Sequence, residues 1–340
     1  MSKTSLDYEF RCYQPADESQ VLDLLTTCLG GGPAGDRSSE FFRWKHLQNP
    51  FGRSMMLVAD SDGQVVGLRA FMRWRFCSRG RVVEAVRAVD TATHPAHQGR
   101  GVFSRLTRKA LDELEEDVAL VFNTPNTKSG PGYLKMGWKD VGEVPVHVRV
   151  LNPLRFAWHL GAGSRDEFVF SNTRNGLPAS VVLGDKAMIT SFLKEVESHG
   201  ACLCTERTHE YLWWRYAAPT WFDYRVAVEE RNGRVKGIAV FRVRRRGRLH
   251  EASVAELMVG PGDRQTAQRL LRQVISSAKA DHVSACFPAT GTASSAARRC
   301  WFFSSRRGAR LVVKPLQAHI EPLVTSRDSW ALSLGDLEIF

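Results

Sequence analysis

No apolar run in this 340-residue chain approaches the roughly 20 residues that a helix needs to cross a bilayer, which excludes a helical membrane span. The opening stretch, MSKTSLDYEFRCYQP, lacks the apolar segment of a secretory signal. Cysteine is scarce and odd in number, seven in all, at 12, 28, 77, 202, 204, 286 and 300. No two stand at C-x-x-C spacing, and Cys202 and Cys204 fall in an alternating, strand-like run that favours packing over metal. A disulfide framework is therefore excluded, and reduced thiols in a cytoplasmic setting are expected. Positive charge is not lacking. The formal balance of +11 favours an anionic partner, whether phosphate, acidic protein or nucleic acid. With 43% hydrophobic and 24% charged residues the composition is that of a globular chain, and the length predicts about two domains.

Residues 94–106, HPAHQGRGVFSRL, separate two unlike segments. Upstream, VEAVRAVDTAT (83–93) is rich in valine and threonine without helical periodicity and predicts a strand. Downstream, Val102, Phe103, Leu106, Ala110, Leu111 and Leu114 fall at helical spacing and predict a helix over 102–117. Gly99 and Gly101 lie in the turn between them. A helix start offers free backbone N–H groups and the positive end of its dipole. Glycine lets an anion approach those groups, and Arg100 adds a cation. The junction is a candidate phosphate cradle, although glycine is common in strand–helix turns.

A repeat runs through the chain at an offset of 170 residues. EFFRWKH (40–46) matches EYLWWRY (210–216), so that Trp44 meets Trp214 and Lys45 meets Arg215. MMLVADSDGQVVGLRAF (55–71) matches RVAVEERNGRVKGIAVF (225–241), each with an Asp-Gly or Asn-Gly turn that predicts a hairpin. VRAVDTAT (86–93) finds a looser partner in SVAELMVG (253–260), and the helix from 102 finds one in 266–281. One period near half the chain predicts two similar domains. The second copy has GPGDRQTAQRL (260–270) at the cradle position, without the glycine pair, and is expected to keep the fold but lose the anion site.

These features together resemble the GNAT superfamily of acyl-CoA-dependent acyltransferases, whose signature is Gln/Arg-x-x-Gly-x-Gly/Ala at a strand–helix junction. Here it reads Gln98-Gly99-Arg100-Gly101-Val102-Phe103, with Phe103 where the family has a small residue. The order of hairpin 55–74, strand 83–93, helix 102–117, strand 118–123 and a Tyr133-x-Lys-x-Gly-Trp138 element also fits. The resemblance covers 9–150 and, as a degenerate copy, 185–325. It implies direct attack of an amine on the thioester, which requires donor binding, oxyanion stabilisation and movement of two protons. By the same resemblance, Ala92, Thr93 and His94 meet pantetheine or the thioester through backbone N–H groups. Gln98, Gly99, Arg100, Gly101, Val102, Phe103 and Ser104 hold the pyrophosphate, and Asn126 and Ser129 bind the pantetheine arm.

Tyr133 is the candidate general acid for the departing thiolate; the alternative is a helix tyrosine packed in the core. Asp90, in an otherwise apolar strand, is the candidate base if burial raises its pKa; the alternative is a structural carboxylate. Glu84 and His94 rank below it. RVRRRGRLH (242–250) reads as a solvated strand end, and Trp213-Trp214 as core, interface or acceptor pocket. The tail SWALSLGDLEIF (329–340) is apolar enough to dock, carrying Asp336 and Glu338 toward a cleft.

The expected architecture is α+β: two GNAT-like domains, each a mixed, mainly antiparallel sheet flanked by helices. Residues 1–155 form the catalytic domain that binds acyl-CoA, 156–184 a linker, and 185–340 a degenerate domain that helps form the acceptor cleft. The expected activity is transfer of an acyl group from acetyl-CoA or a longer acyl-CoA, without metal, to a primary amine. WKHLQNPFG (44–52) resembles bacterial enzymes acting on amino sugars, so the acceptor is expected to be an amino sugar or nucleotide sugar in polysaccharide or natural-product biosynthesis. Arg215, Arg242 and Arg244 are candidates to receive its phosphates. Alternatives are an acyl carrier protein or aminoacyl-tRNA as donor, or a non-catalytic binding scaffold; nucleic acid as a partner is not expected.

Overall fold

The computed structural model describes residues 7–30, 37–114, 116–127, 129–161, 168–170, 176–196, 200–246, 248–305 and 308–337. The first half runs β1 (Glu9–Cys12), α1 (Glu18–Leu29), α2 (Ser39–His46), β2 (Met55–Ser61), β3 (Gln64–Ser78), β4 (Arg81–Thr93), α3 (Val102–Asp112), β5 (Leu120–Asn123), α4 (Gly130–Lys135), β6 (Lys139–Val144), β7 (Val146–Val150), α5 (Pro153–Gly161) and β8 (Phe168–Phe170). The second continues with β9 (Leu177–Pro178), α6 (Ala179–Leu183), α7 (Lys186–Val196), β10 (Cys204–Thr205), α8 (His209–Leu212), β11 (Arg225–Arg231), β12 (Arg234–Arg246), β13 (Leu249–Val259), α9 (Arg264–Ala278), β14 (His282–Cys286), α10 (Thr292–Arg299), β15 (Phe303–Ser304), β16 (Ala309–Pro315), α11 (Glu321–Thr325) and α12 (Leu334–Leu337). The predicted helix over 102–117 ends earlier, at Asp112, although Leu114 still packs beneath it. The other predicted elements appear within a few residues of their expected bounds.

Two sheets carry the strands in the same order. The first is β1-β2-β3-β4-β5-β16-β6, and the second is β9-β11-β12-β13-β14-β7-β15. Each is antiparallel except for one parallel pair, β4 with β5 and β13 with β14. The strands do not keep to the expected domain boundaries. β7, inside 1–155, pairs with β14 and β15, while β16, inside 185–340, lies between β5 and β6. β10, also inside 185–340, pairs with β3, so the first half lends one strand to the second sheet and the second half lends two to the first.

The register explains why both repeats keep a glycine in the second strand of the hairpin. A Cβ on Gly67 would stand 2.8 Å from a Val102 methyl, and one on Gly237 would stand 2.5 Å from a Thr266 methyl. At each place the covering helix presses directly on the strand, and only glycine leaves room. Gly67 faces Thr93 and Gly237 faces Val259. From this anchor Asp90 corresponds to Glu256, one residue away from the alignment drawn from the sequence. The second hairpin is two residues shorter in each strand, which shifts the offset.

The helices sort the core into three parts. α3 and α4 cover the outer face of the first sheet, where Val102, Leu106, Tyr133 and Trp138 are buried. α9 and α10 cover the outer face of the second. The inner faces meet in one shared core that includes Trp44, Trp74, Tyr211, Trp214 and Trp330. Ser38 and Thr208 cap α2 and α8 in the same way, each accepting from the N–H three residues on. At the centre the Trp44 indole donates to the Trp214 carbonyl at 2.8 Å, and the Trp214 indole donates to the Trp44 carbonyl at 2.9 Å. The two rings stack with centroids 5.0 Å apart. Trp214 is therefore a core residue, while its neighbour Trp213 is partly exposed.

Because the sheets share strands and one core, they are expected to unfold together. Urea unfolding followed by far-UV circular dichroism and by tryptophan fluorescence should give coincident transitions. Trp214→Ala should lower stability by about 3–5 kcal/mol. Two separate transitions in the native protein would contradict the shared core.

Candidate active site

The start of α3 carries the predicted cradle. Gly99 and Gly101 have φ of +73° and +77°, a region that side chains rarely adopt, and a Cβ at either would meet no atom within 4 Å. Gly101 is the N-cap, and no side chain caps the helix. The first-turn N–H groups of Val102, Phe103 and Ser104 therefore face an open position, which suits an anion such as a pyrophosphate. Arg100 is exposed beside them. The Gln98 side chain donates to the Thr93 carbonyl at 3.0 Å, fastening the turn to β4. Val102 is buried under the helix, and Phe103 meets the Tyr133 ring edge-on at 5.6 Å. The large side chain at 103 fits because residue 132 opposite is glycine, whose Cβ would come within 3.1 Å of the Phe103 ring.

β4 and β5 pair only from Ala85 to Arg87, so from Ala88 to Thr93 β4 keeps β3 on one side and has no β5 partner on the other. The gap between them is the slot into which a donor's pantetheine would fit. The His94 N–H is not available to it, because it donates to the Val66 carbonyl at 2.9 Å. Strand alternation then turns the Thr93 N–H toward the slot, while Ala92 sits opposite Leu68. Asn126 and Ser129 come together at the start of α4, where the Asn126 carboxamide oxygen accepts from the Ser129 N–H and hydroxyl. At the inner side of the slot the buried Arg87 donates to Thr124 and to the carbonyls of Asp336 and Leu337, so the C-terminal segment docks there. Glu338 lies outside the described residues.

A bulge in β4 opposite Arg69 presents Asp90 and Thr91. Asp90 has φ +41°, an unusual backbone for a residue with a side chain. Its carboxylate lies 2.7 Å from the Lys45 ammonium, 2.9 Å from His46 Nε2 and 3.6 Å from Arg37. The expectation that burial raises its pKa is therefore corrected. Burial pushes it up, but Lys45 and His46 outweigh this and hold it well below the usual carboxylate range. Such a group is a weak base, and Asp90 acts as the counter-ion of a buried cation cluster. His46 Nδ1 also bonds Ser54 at 2.9 Å, and burial lowers its pKa. Glu84, another candidate, pairs with Arg75 at 2.7 Å near the start of β4, away from the cradle.

Tyr133 is buried at the far side of the slot, edge-on to Phe103 and Trp138. Its hydroxyl accepts a 2.7 Å hydrogen bond from Arg69, whose same nitrogen bonds Thr91 at 2.7 Å. Arg69 was missed in the sequence, where it is one polar residue in a strand that reads as apolar. The one available signal was its repeat partner Ala239, a change of charge at an otherwise matched position.

The second sheet repeats the frame with other chemistry. Tyr216, the repeat partner of His46, donates to Glu256 at 2.8 Å, and Arg207 pairs with the same carboxylate at 2.8 Å. Burial dominates here and raises the Glu256 pKa. At the start of α9, Asp263 accepts from the Thr266 N–H at 3.0 Å, so an acidic side chain occupies the position that Gly101 leaves open. A cavity of about 1130 Å³ lies between Glu256, Met258 and Phe287 of this sheet and Val144 of the first, and none of the predicted donor-binding residues or Tyr133 lines it. The arginines expected to receive acceptor phosphates are committed elsewhere. Arg215 and Arg242 are buried, and Arg244 pairs with Glu251 at 3.0 Å. WKHLQNPFG likewise belongs to the core: Phe51 stacks on Tyr211, and Asn49 bonds the Arg73 carbonyl.

The frame of a mixed sheet, a parallel pair that splays, and a glycine-started helix at the splay is that of a GNAT-like fold. Residues 9–141 match the acetyltransferase (GNAT) domain family, so the chain carries a GNAT acetyltransferase domain, of the N-acyltransferase type of enzyme. No curated protein matches the sequence. Among solved structures, a GCN5-related N-acetyltransferase from Anabaena variabilis is similar at TM-score 0.64 and 13% identity, over 94% of this chain and 75% of that one. A GCN5-related N-acetyltransferase from Kribbella flavida gives 0.61 and 16%, over 93% and 73%. Saccharomyces cerevisiae N-myristoyltransferase with bound myristoyl-CoA gives 0.55 and 11%, over 92% and 83%. At these identities the likeness is one of fold.

The Asp90 cluster makes stability depend on pH in a defined direction. The folded Asp90 stays ionised where a free carboxylate, near 3.9, takes up its proton. Its contribution is thus complete above about pH 4 and is lost as pH falls below it. His46, held below 6.5, adds a step of the same sign, because the unfolded chain binds that proton first as pH falls through about 6.5. Asp90→Asn should lower stability at pH 7 by about 3–5 kcal/mol, leaving Lys45 buried without its counter-ion, and should flatten the step below pH 4. Urea denaturation from pH 8 to pH 3 checks both; equal stability at pH 7 would exclude the cluster as a structural clamp.

Proposed function

We propose that this protein transfers an acyl group from acyl-CoA to a primary amine by direct attack on the thioester. The observation that carries the reading is the uncapped, glycine-started helix α3 beside the splayed strands β4 and β5. Gly99, Gly101 and the N–H groups of Val102, Phe103 and Ser104 would hold the pyrophosphate, with Arg100 and Gln98 at the turn. Thr93 and Ala92 would line the pantetheine path, and Asn126 and Ser129 would flank it. Bound there, acyl-CoA supplies an activated carbonyl. Tyr133 protonates the leaving sulfur. Asp90 is left out of proton transfer, because its pKa is held down. The second half, whose corresponding helix is closed by Asp263, binds no second donor and serves the acceptor side.

An amino sugar or nucleotide sugar is the narrower form of the acceptor proposal. Its support is the resemblance of residues 44–52, of which Trp44, Lys45, His46, Asn49 and Phe51 are buried and serve the fold. A panel of amino sugars, nucleotide amino sugars and simple amines, assayed by thiol release from acetyl-CoA and longer acyl-CoAs, tests it directly. A carrier-protein donor belongs in the same panel.

Calorimetric titration is expected to give one CoA site per chain. Gly101→Glu should abolish it by placing a negative side chain at the pyrophosphate, and Gly262→Glu should leave it intact. Two sites, or normal binding by the Gly101 variant, would refute the donor assignment.

Tyr133→Phe should lower kcat by roughly 100- to 10,000-fold, the usual contribution of general acid–base catalysis. CoA affinity should stay unchanged, because the hydroxyl acts when the sulfur leaves rather than when the donor binds. Unchanged turnover with chemistry rate-limiting would remove Tyr133 from the mechanism.

A further inference from the structure

Arg69 is fully buried. Its Nη1 serves Thr91 and Tyr133, while Nε and Nη2 have no hydrogen-bond partner among the described residues. Its charge lies instead against rings, 4.4 Å from the centroid of Phe71, 5.2 Å from Tyr133 and 5.8 Å from Phe103. Cation–π attraction recovers part of the desolvation cost, but a buried cation with idle donors remains an expensive choice. Natural sequences break such rules mainly at functional sites. The corresponding residue of the second sheet is Ala239, so the guanidinium occurs only in the copy with the open helix start.

The direction of the hydrogen bond is the informative part. Guanidinium has donors and no acceptor. The Tyr133 oxygen must therefore accept from Arg69, which leaves the phenol's own proton for another acceptor.

We propose that Arg69 is the positioning residue of Tyr133: it turns the phenol proton toward the leaving sulfur and carries the positive charge against which the phenolate forms. This rests on the reading of Tyr133 as the general acid. In that step the amine nitrogen bonds to the thioester carbon, and the C–S bond breaks with its electron pair going to sulfur. Tyr133 gives its proton to that sulfur and keeps the O–H pair beside Arg69. The proton shed by the amine nitrogen returns through solvent and restores the phenol.

The test uses Arg69→Met, Arg69→Lys, Tyr133→Phe and the double variant Arg69→Met/Tyr133→Phe. The probe is acetyl-CoA with whichever simple primary amine the native protein acylates fastest. Arg69→Met should lower kcat roughly 10- to 100-fold, a share of the acid's own contribution, with KM for acetyl-CoA unchanged. Arg69→Lys should recover part of the loss. The double variant should be no slower than Tyr133→Phe alone, because the two residues act as one unit. Thermal unfolding supplies a readout apart from activity: Arg69→Met should melt at or above the native temperature, since an uncompensated buried charge is replaced by an apolar chain of similar length.

Native-like turnover of Arg69→Met, or losses that multiply in the double variant, would overturn the proposal. So would a melting temperature well below native together with a raised KM, which marks a structural role. If Tyr133→Phe keeps native turnover, it is the acid reading that fails. If the native protein acylates no amine, the transferase reading itself fails, and both take the role of Arg69 with them.

Discussion

The reciprocal pair of Trp44 and Trp214 is the constraint around which the molecule is arranged. Each indole donates to the other's backbone carbonyl, which ties α2 to the turn that follows α8 and places the two repeats in a reciprocal arrangement. That relation sets the inner faces of the two sheets against each other. It also lets the last strand of each half complete the opposite sheet, as β7 and β16 do. Both indoles are buried, where an unmade hydrogen bond costs about 1–3 kcal/mol. The symmetry is therefore held by polar pairing as well as by apolar contact.

Within this symmetric frame the chemistry is asymmetric, and the differences concentrate at a few matched positions. Gly101 leaves the start of α3 open, while Asp263 closes that of α9. Arg69 stands where the second sheet has Ala239. Asp90 and Glu256 occupy corresponding sites, yet Lys45 and the hydrogen bond with His46 pull the first pKa down while burial pushes the second up. A carboxylate at the β-bulge is thus common to both halves as architecture. The open helix start and Arg69 belong to the first half alone among these matched positions.

Among the described residues, five cations lie inside the fold alongside five buried carboxylates, Asp17, Glu251, Glu256, Asp281 and Asp336, so burial leaves the basic balance of the surface unchanged. Lys45, Arg69, Arg87, Arg215 and Arg242 are all buried. Several of them hold the two halves together or fix the C-terminal segment. Arg87 binds the carbonyls of Asp336 and Leu337, and Arg215 binds that of Gly335. These buried cations serve the fold, and an anionic partner would meet the exposed ones.

By itself the sequence determined what depends on short-range pattern. The strand–glycine–helix junction at 94–106, the two hairpins with their Asp-Gly and Asn-Gly turns, and the repeat through Trp44 and Trp214 are all legible, because backbone period and turn chemistry act over a few residues. Tyr133 was singled out by the resemblance of its Tyr-x-Lys-x-Gly-Trp element. Tertiary structure decided what depends on residues far apart in the chain. The exchange of β7 and β16 was hidden because pairing partners are not encoded in local periodicity. The correspondence of Asp90 with Glu256 was hidden by a shorter hairpin. The titration of Asp90 was misjudged because its pKa is set by Lys45 and His46, more than forty residues earlier, and burial alone gives the wrong sign. Arg69 looked like any strand arginine until folding buried it against Tyr133, since solvation and hydrogen-bond partners are properties of the folded chain.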